Sequence, residues 1–138
     1  MIGKRIVLRC SPERAFVLFT EEAGRWWPAE RRHTDDAASA IRIEATGRFY
    51  ERAVDGSEVE LGVARVFDPP RRLLLDWYPG TGPAHPTQVE IRFAAVDGGT
   101  EVTVAHAIGT APAEVFARNA PRYAQSWDRV LEALAAAL

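Results

Sequence analysis

Residues 120–138 read APRYAQSWDRVLEALAAAL, and the spacing of their apolar side chains decides the fold. Tyr123, Trp127, Val130, Leu131, Leu134 and Leu138 recur at steps of three and four, which puts them on one face of a helix. That face is too bulky to stand in water. Arg122, Gln125, Asp128, Arg129 and Glu132 fall on the opposite, solvated side. Asn119 as cap and Pro121 in the first turn set the expected start, since proline gives up no hydrogen bond there. The rest of the chain has to supply a surface that grips the apolar face.

Working outward, the remaining chain alternates mostly with period two. Lys4 to Cys10 places Ile6, Leu8 and Cys10 on one face, so Cys10 is expected inside as a small hydrophobe rather than as a reactive thiol. Ser11, Pro12 and Glu13 start a helix that buries Ala15, Phe16, Leu18 and Phe19. A second short helix from Thr20 ends at Trp26-Trp27-Pro28. Two adjacent tryptophans cannot face the same way on a helical turn, so one is expected in the core and the other at a rim. Residues 29–39 show no apolar periodicity and read as a mobile loop. His33 lies there beside Asp35 and Asp36, a spacing commoner in solvated loops than in metal sites.

From Ile41 the strands follow closely, joined by turn signals at Gly47, Asp55-Gly56, Asp68-Pro69-Pro70-Arg71, the run from Pro79 to Pro86, and Asp97-Gly98-Gly99. Gly62, inside the run from Glu58 to Phe67, suggests a bulge or a bend. Strand, two short helices, six strands and a long helix make an antiparallel meander whose apolar face the last helix covers.

The bulk properties bound the function. A chain of 138 residues fits one domain and buries about two-thirds of its unfolded surface on folding. The formal charge of −2, with both signs interspersed, disfavours nucleic acid as a partner. Charges break every apolar run near the start, no segment is long enough to span a bilayer, and a cytoplasmic location is the default expectation. Cys10 is the only cysteine. No nucleophile elbow, phosphate-cradling glycine loop or zinc-protease motif is present, and the three histidines have no metal-site spacing, so neither a metal nor a cofactor is expected.

Together Ser11 to Phe16, Trp26-Trp27-Pro28, Gly47-Arg48-Phe49, Gly62, Asp68 to Leu73, Trp77, Gly99-Thr100, His106 and Ser126-Trp127-Asp128 with Leu131 resemble the START-like (SRPBCC) superfamily. The branch they are most similar to is that of the activator of the heat-shock protein 90 ATPase. The resemblance covers nearly the whole chain, and the Pro-Pro-Arg-Arg-Leu hairpin is its most specific part. It implies an α+β helix-grip fold, a curved antiparallel sheet of six to seven strands around a long C-terminal helix. Between them it implies an apolar cavity that in relatives holds hydrophobic molecules. Family members commonly carry glycine just before the helix tryptophan, where this chain has Ser126, so the approach of helix to sheet is expected to differ there.

The expected cavity lining is Trp26, Trp27, Ile41, Ile43, Phe49, Leu61, Val63, Leu75, Trp77, Ile91, Phe93, Val104, His106, Tyr123 and Trp127. A solid core would give the same set. The leading functional expectation is a binding protein for a hydrophobic or amphipathic small molecule. The alternatives are a cyclase, dehydratase or hydrolase using His106 and Tyr123 as acid or base, and a co-chaperone-like interaction module with a chaperone partner. His106, on the inward face of its strand, is more readily explained by ring nitrogens satisfied within the core than by catalysis. Arg48 and Arg65 either stay solvated or reach a ligand carboxylate at the mouth, and Glu90 faces solvent. Edge strands leave a homodimer open.

Overall fold

The computed structural model describes residues 1–138. The strands are β1 (Ile2–Leu8), β2 (Ala40–Ile43), β3 (Arg48–Arg52), β4 (Glu58–Asp68), β5 (Arg72–Trp77), β6 (Thr87–Val96) and β7 (Gly99–Ala107). The helices are α1 (Pro12–Thr20), α2 (Ala23–Trp26) and α3 (Ala113–Ala136), with a short 3-10 turn at Ala29–Arg31. All strand pairs are antiparallel and the sheet order is β1-β7-β6-β5-β4-β3-β2, a curled half-barrel that holds α3 in the helix-grip arrangement. No helix is long and apolar enough to cross a membrane.

Local chemistry explains the elements. Ser11 caps α1, its hydroxyl accepting from the Arg14 N–H at 3.1 Å, with Pro12 in the first turn. The β3–β4 and β6–β7 hairpins turn at Gly56 and Gly98, both at positive φ. The inward faces meet in one hydrophobic cluster that joins α1, the sheet and α3.

Four expectations are corrected. The terminal helix starts at Ala113 after Pro112, not at Asn119 or Pro121, so Pro121 lies inside it. Pro121 is exposed there, where the Ala117 carbonyl that loses its helical donor can turn to water. Strand β1 runs from Ile2 and ends at Leu8, leaving Cys10 past the strand, half-buried against the core, with its thiol pushed up by burial. Segment 29–39 is not loose: Glu51, wholly buried, accepts from the His33 and Thr34 N–H groups at 2.8 and 2.9 Å and from the Thr34 and Ser39 hydroxyls.

The fourth correction concerns Val63. Phe49 pairs with Gly62 but Tyr50 pairs with Glu60, so Leu61 is an extra residue on β4 and the strand bulges. Leu61 and Gly62 are both buried and the alternation flips after them. Val63 then stands opposite Arg48 and Asp76 on the outer face, away from α3. Gly62 is required at this bend because a Cβ there would lie 2.0 Å from the Asp76 carbonyl oxygen.

Candidate functional site

The interior of the grip is filled. Ile41, Ile43, Phe49, Leu61, Leu75, Ile91, Phe93 and Val104 are at most 4 % exposed and pack within the one core cluster. At the mouth a cleft of about 310 Å³ opens between the turn after α2, the turn after β5 and the middle of α3. Of the residues expected to line a cavity, Trp27, Trp77, Tyr123 and Trp127 border this cleft; Trp26, the eight core residues, Val63 and His106 do not.

Trp26 and Trp27 are both 8 % exposed and both join the core cluster, and only Trp27 also borders the cleft. The Trp26 indole N–H donates to the Leu18 carbonyl at 2.9 Å, fixing that ring against α1. Trp27 donates to the Arg31 carbonyl at 3.3 Å, closing the 3-10 turn and presenting its ring to the cleft. Arg32 locks the same turn, donating to the Gly24 and Trp27 carbonyls at 2.7 and 3.0 Å and to both Ser39 oxygens at 2.8 Å. On the far side, Gly80 takes positive φ and approaches the helix so closely that a Cβ there would meet the Tyr123 hydroxyl at 2.5 Å. That hydroxyl donates to the Pro79 carbonyl at 2.9 Å, and the Asn119 amide donates to the Gly80 carbonyl at 3.2 Å. Both cleft walls are therefore preorganised by hydrogen bonds that no ligand has to supply.

Behind the wall lies His106, wholly buried. The Trp127 indole N–H donates to its Nδ1 at 3.0 Å, which requires an acceptor there and so places the proton on Nε2. Nε2–H then donates to the Thr87 hydroxyl at 2.8 Å, and Thr87 passes its own proton toward the Trp77 carbonyl at 3.4 Å. The Tyr123 ring stacks on the imidazole at 4.2 Å between centroids. Burial, with a smaller effect from the N-terminal ammonium, lowers the His106 pKa to about 4, so the ring is neutral at pH 7. Both of its nitrogens are occupied and it has no opening to the cleft; Tyr123 has its hydroxyl committed to Pro79 and is pushed up by burial. The pair that the enzyme alternative would use as acid and base therefore serves as the polar keystone between β6, β7 and α3.

Arg48 and Arg65 do not reach the mouth. Arg48 lies over the Tyr50 ring at 3.8 Å and pairs with Glu58 and Glu60, while Arg65 pairs with Asp76, all on the outer face of the sheet. Glu90, expected in solvent, is half-buried between Arg72 and Arg92; burial raises its carboxyl, but the two guanidinium hydrogen bonds override this and hold it below its ordinary value. No cluster of three or more metal-ligating side chains occurs.

The sequence reading missed the polar half of the cleft. Arg31, Arg32 and His33 come from the aperiodic segment, Arg122 from the helix face expected in water, and Ser126 from a position expected on neither face.

The family model described as "Activator of Hsp90 ATPase homolog 1-like protein" matches residues 9–138. No curated protein matches the chain. Among solved structures, the self-sacrificing resistance protein CalC from Micromonospora echinospora is 23 % identical with a TM-score of 0.75, covering 97 % of this chain and 90 % of that one. The Aha1 dimer from Colwellia psychrerythraea is 19 % identical with a TM-score of 0.64 over 99 % of this chain and 94 % of that one. The anthrahydroquino-gamma-pyrone synthase Txn09, solved complexed with SUM, is 26 % identical with a TM-score of 0.56 over 87 % and 94 % of the two chains. With the family match spanning all but the first eight residues and the helix-grip fold in place, the chain belongs to the family of proteins like the activator of Hsp90 ATPase homolog 1, within the START-like superfamily.

Proposed function

We propose that this protein binds a small hydrophobic or amphipathic molecule in the cleft at the mouth of the grip, not inside it. The observation that carries this reading is the cleft of about 310 Å³ walled by Trp27, Trp77, Tyr123 and Trp127, beside an interior already packed with side chains. Its volume falls at the lower end of ligand pockets, which run from about 300 to 1,000 Å³, and suits one or two fused rings. Aromatic walls offer flat apolar area at little entropic cost, since their rings are fixed before a ligand arrives. Catalysis through His106 finds no support, because a base needs a free lone pair within reach of substrate.

Thermal denaturation with a neutral bicyclic aromatic compound tests the reading. At about a hundred times its dissociation constant a ligand adds ~2.7 kcal/mol to stability, a rise of several degrees in Tm. A Ser126→Trp variant, which fills the cleft from α3, is expected to fold and lose that rise. Stabilisation of equal size in the filled variant would place the ligand elsewhere and overturn the proposal.

A further inference from the structure

We infer that the molecule held in this cleft is an anion, an aromatic or fused-ring acid whose carboxylate is gripped by Arg31 and Arg122; this rests on the cleft being the ligand site. The charges there are unbalanced. Three guanidiniums, those of Arg31, Arg32 and Arg122, border the cleft against a single carboxylate, Glu30. Glu30 is committed to Arg129, its oxygen 2.8 Å from the Arg129 Nε. This concentration of positive charge is local, since the protein as a whole carries a formal charge of −2.

Most arginines elsewhere on the molecule are ion-paired, and the others without a partner, Arg9, Arg42 and Arg118, are exposed, so the buried Nε of Arg31 is what stands out. Arg14, Arg25, Arg48, Arg52, Arg65 and Arg72 all have carboxylate partners, and Arg32 spends its terminal nitrogens on backbone carbonyls and Ser39. Arg31 and Arg122 make no side-chain hydrogen bond or ion pair, and the Nε of Arg31 is buried with no partner at all. An unsatisfied buried donor on a cation is costly, and an anion is the group that relieves it. Ser126, whose hydroxyl also has no internal partner, lies between Arg122 and Trp127 in sequence and borders the same space. His33 borders it too, from the same segment as Arg31.

The two walls thus differ in kind. Trp77, Tyr123 and Trp127 supply the apolar area, and Arg31, from the turn after α2, and Arg122, from α3, border the same space. A planar acid matches both, its rings on the indoles and its carboxylate between the guanidiniums, where charge-assisted hydrogen bonds are at their strongest.

Calorimetric titration with 2-naphthoate and its neutral isostere 2-naphthamide tests the assignment. The unaltered protein is expected to bind the acid about tenfold more tightly than the amide, the effect of one good charge-assisted pair. In Arg31→Gln/Arg122→Gln the preference is expected to vanish while amide binding stays within about twofold, because neither side chain supports the fold through a polar contact. Equal affinities for acid and amide in the unaltered protein would overturn the anion assignment and leave the cleft reading standing. A preference for the acid that survives both substitutions would overturn the role of these two arginines. Failure of both compounds to bind would overturn the cleft reading and this inference together.

Discussion

Acid should unfold this protein through His106 before it does so through its carboxylates. The ring is wholly buried and neutral, with a folded pKa of about 4 against an ordinary value of 6.5. A base whose pKa is depressed by folding binds more protons in the unfolded chain between those two values. The stability it contributes is therefore complete above pH 6.5 and is lost as pH falls toward 4. The full difference corresponds to about 3 kcal/mol, of which about 2 kcal/mol is lost by pH 5, a range in which few carboxylates have begun to protonate. A loss of that size is a large share of the 5–15 kcal/mol typical of a folded domain. Urea unfolding at pH 7 and pH 5 measures it directly. His106→Gln is the control, because an amide can still accept from Trp127 and donate to Thr87 but does not titrate. The wild type is expected to lose about 2 kcal/mol more than the variant over that interval. Parallel losses in the two proteins would refute the buried neutral histidine.

Gly62→Ala forces a Cβ to within 2.0 Å of the Asp76 carbonyl oxygen, so the β4–β5 pairing has to shift; a loss of about 3 kcal/mol or more is expected by denaturant unfolding, against near-neutral behaviour for Gly3→Ala, where nothing lies within 4 Å. Trp127→Phe keeps most of the packing but removes the donor to His106 Nδ1, with an expected cost of about 1–3 kcal/mol and a rise in the His106 pKa that NMR titration can follow. Glu51→Ala removes the acceptor of four hydrogen bonds from residues 33–39 and is expected to abolish hydrogen-exchange protection of the His33 and Thr34 amides while the sheet amides stay protected.

How far the sequence reveals the molecule depends on what sets each feature. The strands and hairpins were legible because period-two patterning and glycine turns are local: Asp55-Gly56 and Asp97-Gly98 turn the chain where only glycine sits comfortably at positive φ. Val63 was misplaced because a single inserted residue, Leu61, reverses every side chain after it, and only Gly62 hinted at the bulge. The start of α3 was misplaced because Pro121 is the strongest helix-start signal in that region, yet a proline on the solvent side of a long helix leaves only one carbonyl for water to satisfy. Phe116, buried one turn pair before Tyr123, carries the same apolar stripe back through the first turns. The cleft was least legible. Its aromatic floor follows from the helix periodicity, but its polar side joins an aperiodic segment held by Glu51 and Arg32 to residues on the hydrophilic face of α3, a juxtaposition that only tertiary packing creates.

The central claim, that ligands occupy the mouth and not the interior of the grip, is tested most directly by indole NMR, because the four tryptophans sample both places. Titration of ¹⁵N-labelled protein with 2-naphthamide is expected to shift the Trp27, Trp77 and Trp127 indole signals saturably, while that of Trp26, bonded to the Leu18 carbonyl in the core, stays fixed. A shift of the Trp26 signal together with the methyl signals of Ile41, Leu75 and Ile91, with the three cleft indoles unmoved, would contradict it.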